Sequence, residues 1–205
     1  MTQQNRPPLS DPKAMRALAH SARLEILNRL GADGPATATE VAEIVGITPS
    51  AASYHLRMLA KYGFVEDAPA RGDGRERLWR AVEGGLSVQQ EPDDTPDVRA
   101  AKELLIGTFY DDAHEELKRS MAAINGESRE WREAAHWQRA TLLLDAAEMG
   151  RLVEQISQLV DPFRAAARDR SQVPEGARLS QSIVSVFPIA ERRTPGLPTE
   201  DHGRA

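Results

Sequence analysis

The sequence predicts a mainly helical α+β fold, and three features of the chain carry this prediction. Two short helical patterns are joined by a tight turn at 46–49, where glycine and proline suit a helix end and a helix start. Two short strand-like runs flank a Gly/Asp-rich turn at 68–76. Apolar residues recur every four positions over 101–121, which indicates a long amphipathic helix. Together they predict a winged helix-turn-helix domain, a long dimerisation helix and a small C-terminal β-α-β unit.

The N-terminal part of the chain has clear helix boundaries. Asp11, with Pro12 after it, predicts the cap of a first helix, and a second helix should start at Ser21 and stop in the Gly/Pro-rich segment 31–35. A short third helix is expected after Thr39. The fourth, the recognition helix, should span 49–62.

The recognition helix is the most informative element of the sequence. Thr48 predicts its cap, and Gly46 before it supplies a residue that tolerates positive φ. Ala52, Leu56 and Leu59 recur at helical spacing and form the inward stripe. The other side is left small and polar at its start, with an arginine further along, which suits insertion into the major groove of DNA.

The remaining elements follow from the same signals. Strands are predicted at 64–67 and 77–82, as the two arms of the wing hairpin. The long helix should begin at the cap Thr95 and close near 125–126. The β-α-β unit comprises a strand at 139–144, a helix capped by Asp145 together with Glu148 and running to near Phe163, and a strand at 177–187.

These elements divide the chain into five parts. We expect a disordered arm at 1–10, a winged helix-turn-helix DNA-binding domain at 11–83, a linker at 84–94, a dimerisation and candidate effector domain at 95–189, and a disordered tail at 190–205.

Composition narrows the class of protein. The hydrophobic fraction of 40% and the charged fraction of 28% are ordinary for a soluble globular protein. Cysteine is absent, which excludes disulfides and thiolate chemistry. No apolar run approaches the roughly 20 residues that span a bilayer. The polar N-terminus lacks the apolar core of a signal peptide. We therefore expect a cytoplasmic protein without a membrane partner.

Charge is distributed unevenly along the chain. The net charge is −5, but residues 13–80 carry ten Lys/Arg against eight Asp/Glu, whereas residues 91–170 carry eleven against seventeen. The acidity therefore lies mainly outside the predicted DNA reader. Because an excess of two positive charges is modest, DNA affinity should depend on two copies of the module acting together.

Three linked motifs resemble one known family. Ala17–Leu27 resembles the opening signature of the ArsR-type family of bacterial winged-helix repressors, and Ser50–Leu59 is similar to the recognition helix of that family. Gly63–Val65, followed by a Gly/Arg-rich turn, resembles the start of its wing. The resemblance covers roughly residues 11–83, under half of the chain. It implies a DNA-binding regulator and places His55 beside the DNA.

The candidate DNA-binding residues lie on the recognition helix and the wing. The helix should contact the major groove or its phosphates, and the wing arginines should reach the backbone or the adjacent minor groove. For His55 a packing or phosphate-orienting role is as well supported as a base contact, because helical spacing puts it at the edge of the buried stripe. The candidates are Thr48, Pro49, Ser50, Ser53, Tyr54, His55, Arg57, Arg71, Arg75 and Arg77.

A second group of candidates lies in the C-terminal half and could form either a small-molecule pocket or the core or dimer interface. Its members are Phe109, Tyr110, Trp131, His136 and Trp137. Asp111, Asp112, His114 and Glu115 give only half of the ligand pattern that metal-sensing relatives carry, so we expect a solvated acidic face, with no metal and no cofactor. No nucleophile elbow, phosphate loop or paired-carboxylate motif is present, so no catalytic residue is predicted and the protein is not expected to be an enzyme.

The sequence therefore predicts a sequence-specific regulator of transcription that binds double-stranded DNA as a homodimer on a palindromic operator. A small-molecule effector is left open. The alternative function is a winged-helix scaffold for protein interactions that no longer reads DNA, and the modest positive charge of residues 13–80 favours that alternative.

Overall fold

The computed structural model of this chain describes residues 9–71, 76–82, 88, 91–165 and 168–189. Its elements are α1 (Pro12–Leu18), α2 (Ser21–Asp33), β1 (Ala36–Thr37), α3 (Ala38–Val45), α4 (Pro49–Lys61), β2 (Val65–Ala68), β3 (Leu78–Ala81), α5 (Pro96–Ala123), α6 (Arg129–Ala134) and α7 (Ala146–Val160). This order confirms the winged helix-turn-helix and the long helix. Of the predicted arm at 1–10 and tail at 190–205, residues 1–8 and 190–205 lie outside the described residues.

The caps explain why the helices begin where they do. Asp11 accepts a hydrogen bond from the backbone N–H of Lys13, and the ring of His20 accepts one from Ala22 at the start of α2. The start of α3 differs from the prediction. Its cap is Thr37 rather than Thr39, because Thr37 and Glu40 form a reciprocal capping box.

The sheet is small and antiparallel. β3 lies between β1 and β2, with Ala36 opposite Trp79 and Val65 opposite Ala81. The sequence does not predict β1, because it has only two residues and depends on pairing with a strand more than 40 positions away. This pairing ties the start of α3 to the base of the wing.

A single apolar core holds the N-terminal elements together. Met15, Leu18, Ile26, Leu56 and Phe64 are each at most 1% exposed. They come from α1, α2, α4 and the start of the wing, so burying them fixes the orientation of α4 relative to the rest of the domain.

The first turns of α5 also belong to this core. Ala101 and Leu105 are buried within it, and the Arg16 guanidinium on α1 pairs with the Asp97 carboxylate. The Lys102 ammonium lies 2.6 and 2.8 Å from the two carboxylate oxygens of Asp94, and both side chains are largely buried. The N-terminal end of α5 is thus packed on the winged-helix domain, although in the sequence it follows the predicted linker.

The C-terminal β-α-β prediction is wrong in its strands. α7 is present and starts with the predicted capping box between Asp145 and Glu148. Segments 139–144 and 177–187 form no strand, and within the described residues neither takes part in a backbone ladder. A strand needs a neighbouring strand for its backbone hydrogen bonds, and the described residues of this chain offer neither segment such a neighbour.

Candidate nucleic-acid interface

Helix α4 buries one face and exposes the other. Ala52, Leu56 and Leu59 are at most 1% exposed, as the helical spacing predicts. On the opposite side Tyr54 is 51% exposed, and Arg57 is exposed as well. The side that the core does not use is therefore a polar surface with an arginine in its middle.

The start of α4 is set by its turn and cap. Gly46 ends α3 with a φ of +71°, a left-handed conformation that a side chain would strain even though open space surrounds it. The Thr48 hydroxyl accepts a hydrogen bond of 3.2 Å from the Ala51 N–H and lies 3.1 Å from the Ser50 hydroxyl. Pro49 occupies the first helical position. The exposed helix start therefore presents the positive end of the helix dipole, which favours phosphate.

A groove of about 260 Å³ separates α4 from the wing and the start of α3. Its walls include Thr39, Ser53, Arg57, Arg77 and Trp79. Ser53, one of the predicted contact residues, is half-buried here rather than fully exposed. The groove combines hydroxyls and two guanidinium groups, which are donors suited to a phosphate backbone, with the carboxylate of Glu76, which disfavours phosphate.

Arg57 differs from Arg71 and Arg77 in that no carboxylate of the described residues pairs with it. Within the part of the chain that the structure describes, its side chain has no hydrogen bond either. Its positive charge is therefore available to a ligand without breaking an existing contact.

The two predicted wing arginines that the structure describes, Arg71 and Arg77, are already paired. Arg77 donates to the Asp67 carboxylate, with Nη2 2.9 Å from Oδ2, and its guanidinium lies 3.9 Å from the centre of the Trp79 ring. Arg71 donates to the Glu40 carboxylate at 3.2 Å and to the carbonyl of Pro35. DNA would have to compete with these carboxylates for both side chains. Arg75, the third predicted wing contact, lies outside the described residues.

The paired carboxylates stay ionised at neutral pH. The hydrogen bond from Arg77 lowers the pKa of Asp67. The pKa of Glu40 is lowered first by the backbone N–H of Thr37 and further by the charge of Arg71. Arg71 and Arg77 are therefore largely neutralised in the free state, whereas Arg57 on α4 keeps its charge without a carboxylate partner among the described residues.

His55 packs inside the domain. It is 8% exposed, and its Nδ1 accepts a hydrogen bond of 3.3 Å from Nε of the buried Arg23. Its ring lies 4.8 Å from that of His20, and Arg23 also donates to the carbonyl of Ala17. Burial in the first place, and then the proximity of His20 and Arg23, lower the pKa of His55. Of the two roles left open by the sequence, these contacts favour packing.

Arg23 is a residue that sequence reasoning missed. It connects the start of α2 to the recognition helix, although it is 32 positions away from His55. The available sequence signal was the helical spacing of Arg23 with Ile26 and Leu30, which puts this arginine on the apolar side of α2, where a charged side chain needs a partner.

The five candidates predicted to line a pocket or an interface in the C-terminal half do not form one cluster. The rings of Phe109 and Tyr110 are in edge contact at 5.8 Å, and the Tyr110 hydroxyl lies 2.7 Å from that of Ser185. Trp131 lies 4.9 Å below the Arg178 guanidinium. The remaining two are on the surface, where His136 contacts Gln138 and Trp137 is 50% exposed. Among the described residues no ring contact joins the α5 pair to the other three.

The acidic side chains of α5 form no metal cluster in the described part of the chain. Instead, Asp112 is partly buried, and this burial raises its pKa. Glu25 on α2 has its pKa raised by burial and by the charges of Asp112 and Glu116. These carboxylates form an acidic cluster between α2 and α5. No helix of the described chain has the length and apolar character needed to cross a membrane.

Comparisons with known proteins agree with the N-terminal fold. Residues 18–68, about a quarter of the 205 residues, match the family profile described as a helix-turn-helix domain. No curated protein sequence matches this chain.

Two solved structures are weakly similar to the chain. A mutant of ZitR from Lactococcus lactis in its apo form is 20% identical, with a TM-score of 0.33, and covers 71% of this chain and 83% of its own. Wild-type apo MarR from E. coli is 18% identical, also with a TM-score of 0.33, and covers 77% of this chain and 99% of its own. TM-scores this low add nothing to the argument. The part of this chain that is similar to a known family is the helix-turn-helix segment 18–68, which contains α4 and its exposed face.

Proposed function

We propose that this protein is a DNA-binding regulator of transcription that acts as a homodimer on a palindromic operator. The observation that carries the proposal is the exposed polar face of α4, with Arg57 uncompensated and beside a groove lined by hydroxyls and guanidinium groups. The match of residues 18–68 to a helix-turn-helix domain supports the same function. Membership of the ArsR-type family, and response to an effector, are part of this proposal.

In this arrangement the two surfaces have different tasks. The start of α4, with Thr48, Ser50 and Tyr54, would enter the major groove and read base edges. Arg57 and the hydroxyl of Ser53 would hold the phosphate or base at the edge of the groove. Arg71 and Arg77 would contact the backbone only after exchanging their carboxylate partners for phosphate, which lowers the net gain from each.

The experiment compares Arg57→Ala with Arg129→Ala on fragments selected from genomic DNA. Both changes remove one positive charge, but Arg129 lies on α6 and pairs with Glu133. Arg57→Ala should weaken specific binding by roughly 1–3 kcal/mol if the side chain touches a base, and Arg129→Ala should leave binding unchanged. Equal affinities of both variants and the wild type would refute the assignment of this face.

A second candidate function is a winged-helix scaffold that binds protein and not DNA. The pairing of Arg71 with Glu40 and of Arg77 with Asp67 favours it, because a wing whose arginines are neutralised attracts phosphate less strongly. The salt dependence of DNA binding separates the two functions, since a scaffold has no counterions to release.

A further inference from the structure

Two histidines and an arginine meet where α4 packs on the start of α2. The ring of His55 on α4 lies 4.8 Å from the ring of His20, the cap residue before α2. Arg23, in the first turn of α2, donates from Nε to Nδ1 of His55 at 3.3 Å. These three residues are named the histidine cluster. The cluster places one cation and two protonatable rings at the contact between the two helices.

Both imidazoles of the cluster accept a hydrogen bond through Nδ1. His55 accepts from the Arg23 guanidinium, and His20 accepts from the backbone N–H of Ala22 at 3.2 Å, which caps α2. A ring nitrogen that accepts a hydrogen bond carries no proton, so each ring has its hydrogen on Nε2. The geometry of the cluster therefore requires both rings to be uncharged.

No carboxylate of the described residues pairs with a member of the cluster. The charged or protonatable groups that act on His55 are His20 and Arg23, and Tyr54 contacts its ring edge-on at 5.5 Å. The other elements that pack on α4, which are α1, α3 and β2, add no described charge against this ring. An imidazolium at this position would therefore face a guanidinium without an anion to offset the repulsion.

A proton on His55 is incompatible with the packed arrangement. The residue is 8% exposed, so a positive charge on its ring would be poorly solvated. The added proton has to go to Nδ1, where it would face the Nε–H of Arg23, donor against donor. Burial, followed by the proximity of His20 and Arg23, lowers the pKa of His55 accordingly. His55 can become charged without this penalty when α4 and the start of α2 separate.

His20 connects the cluster to solvent. Its side chain is exposed, whereas Arg23 and His55 are buried. A proton on Nδ1 of His20 would remove the acceptor that caps α2. It would also put a positive charge at the positive end of the α2 dipole, beside the ring of His55. Protonation of either ring therefore weakens the same contact, from the α2 side or from the α4 side.

The cluster lies on the same helix as the proposed DNA-reading face. Tyr54, next to His55, is 51% exposed, and Arg57 follows two positions further along α4. A helix moves as a unit, so a displacement of α4 from α2 also displaces these two side chains relative to the wing. The position of the reading face thus depends on rings that are neutral.

We propose, on the basis of the proposed DNA-binding function, that the histidine cluster is an acid-sensitive switch that releases α4 from α2 and lowers the affinity for DNA. Neutral rings hold the recognition helix in place, and charged rings release it. If the same imidazoles contacted phosphate instead, acid would have the opposite effect, because added positive charge strengthens binding to DNA.

The direction of the effect follows from proton linkage. The released form binds more protons than the packed form, so its share rises as the pH falls below about 6.5, the ordinary pKa of a histidine. Each proton taken up on release shifts this equilibrium by up to ~10-fold per pH unit. In a homodimer both copies of α4 have to be in place, so their effects multiply. We expect the affinity for DNA to fall at least ~5-fold between about pH 7.5 and 5.5.

The test is fluorescence anisotropy of the full chain with selected double-stranded DNA at about pH 7.5 and 5.5, at one ionic strength. His55→Gln keeps an acceptor for Arg23, and His20→Asn keeps a capping side chain, but neither new side chain is protonated in this range. His136→Gln is the matched control, because His136 is exposed and contacts Gln138.

The wild type and His136→Gln should show the full loss of affinity in acid, whereas His55→Gln should lose less than ~2-fold over the same range. His20→Asn should also lose less than the wild type, and it serves as the second variant if His55→Gln does not fold. Far-ultraviolet circular dichroism at the lower pH shows whether the wild type is still folded. A loss of affinity that coincides with global unfolding would overturn the switch.

Three further results would overturn it: a wild-type affinity that does not change with pH, an affinity that rises in acid, or full pH dependence in both His55→Gln and His20→Asn. Failure of the proposed function is distinguishable, because a chain that is no regulator binds no DNA at the higher pH either. In that case NMR of the free chain tests the switch. The α4 amide signals should shift together with protonation of His55 in the wild type, and unchanged signals would overturn the switch.

Discussion

The hydrogen bond between Arg23 and His55 predicts how much the packing of α4 against α2 contributes to the stability of the domain. Arg23→Met keeps most of the apolar stem but removes the donor to His55 Nδ1 at 3.3 Å and the donor to the Ala17 carbonyl. Hydrogen bonds to charged groups are worth about 1.5–3 kcal/mol each, and relief of the buried guanidinium offsets part of that loss. We expect the free energy of unfolding to fall by about 2 kcal/mol.

Urea denaturation followed by circular dichroism measures this change. Arg29→Met on the same helix is the control, because Arg29 forms its i,i+4 ion pair with Asp33 within α2. If Arg23→Met lowered the free energy of unfolding by less than about 0.5 kcal/mol, as ordinary surface substitutions do, the proposed role of Arg23 in holding α4 would be refuted.

The same contact predicts acid sensitivity. Because the pKa of His55 in the folded domain is below that of the unfolded chain, the unfolded chain binds more protons. The stabilisation is complete above the unfolded pKa of about 6.5 and is lost as the pH falls below it. His55→Gln should reduce this dependence below about pH 6.5. An unchanged pH profile of the unfolding midpoint in His55→Gln would contradict the assignment.

Two further predictions concern the helix cap and the wing. Thr48→Ala should destabilise the domain by about 1 kcal/mol through loss of the α4 cap, and it should also weaken DNA binding. Thr95→Ala removes the α5 cap and should reduce stability alone. Equal DNA affinities of the two variants would argue against a DNA contact by the start of α4. Asp67→Asn should release Arg77 and make DNA binding tighter and steeper in salt by about one counterion. An unchanged salt slope would show that Arg77 does not reach phosphate.

Local signals made the helix-turn-helix predictable. The left-handed Gly46, the cap at Thr48 and the proline after it each act within a few residues, so the sequence alone places the start of α4. The signal for the start of α3 was equally local, since Thr37 and Glu40 have the spacing of a capping box, although the start was expected after Thr39.

Longer-range features were not predictable in the same way. β1 depends on its pairing with Trp79, and the role of Arg23 depends on a partner from another helix. The wing arginines are basic in sequence, but Asp67 and Glu40 neutralise them across the fold. The prediction of strands at 139–144 and 177–187 was wrong because apolar alternation indicates a face that could be buried, but it does not supply the neighbouring strand that a sheet requires.

The most direct test of the regulator function is the affinity of the wild-type chain for selected double-stranded DNA, measured from 50 to 200 mM salt by anisotropy. A regulator that contacts phosphate through two recognition helices should lose affinity steeply, with a log–log slope of about −0.9 for each phosphate contact. Absence of binding at the lowest salt, or binding that does not change with salt, would contradict the function proposed for α4.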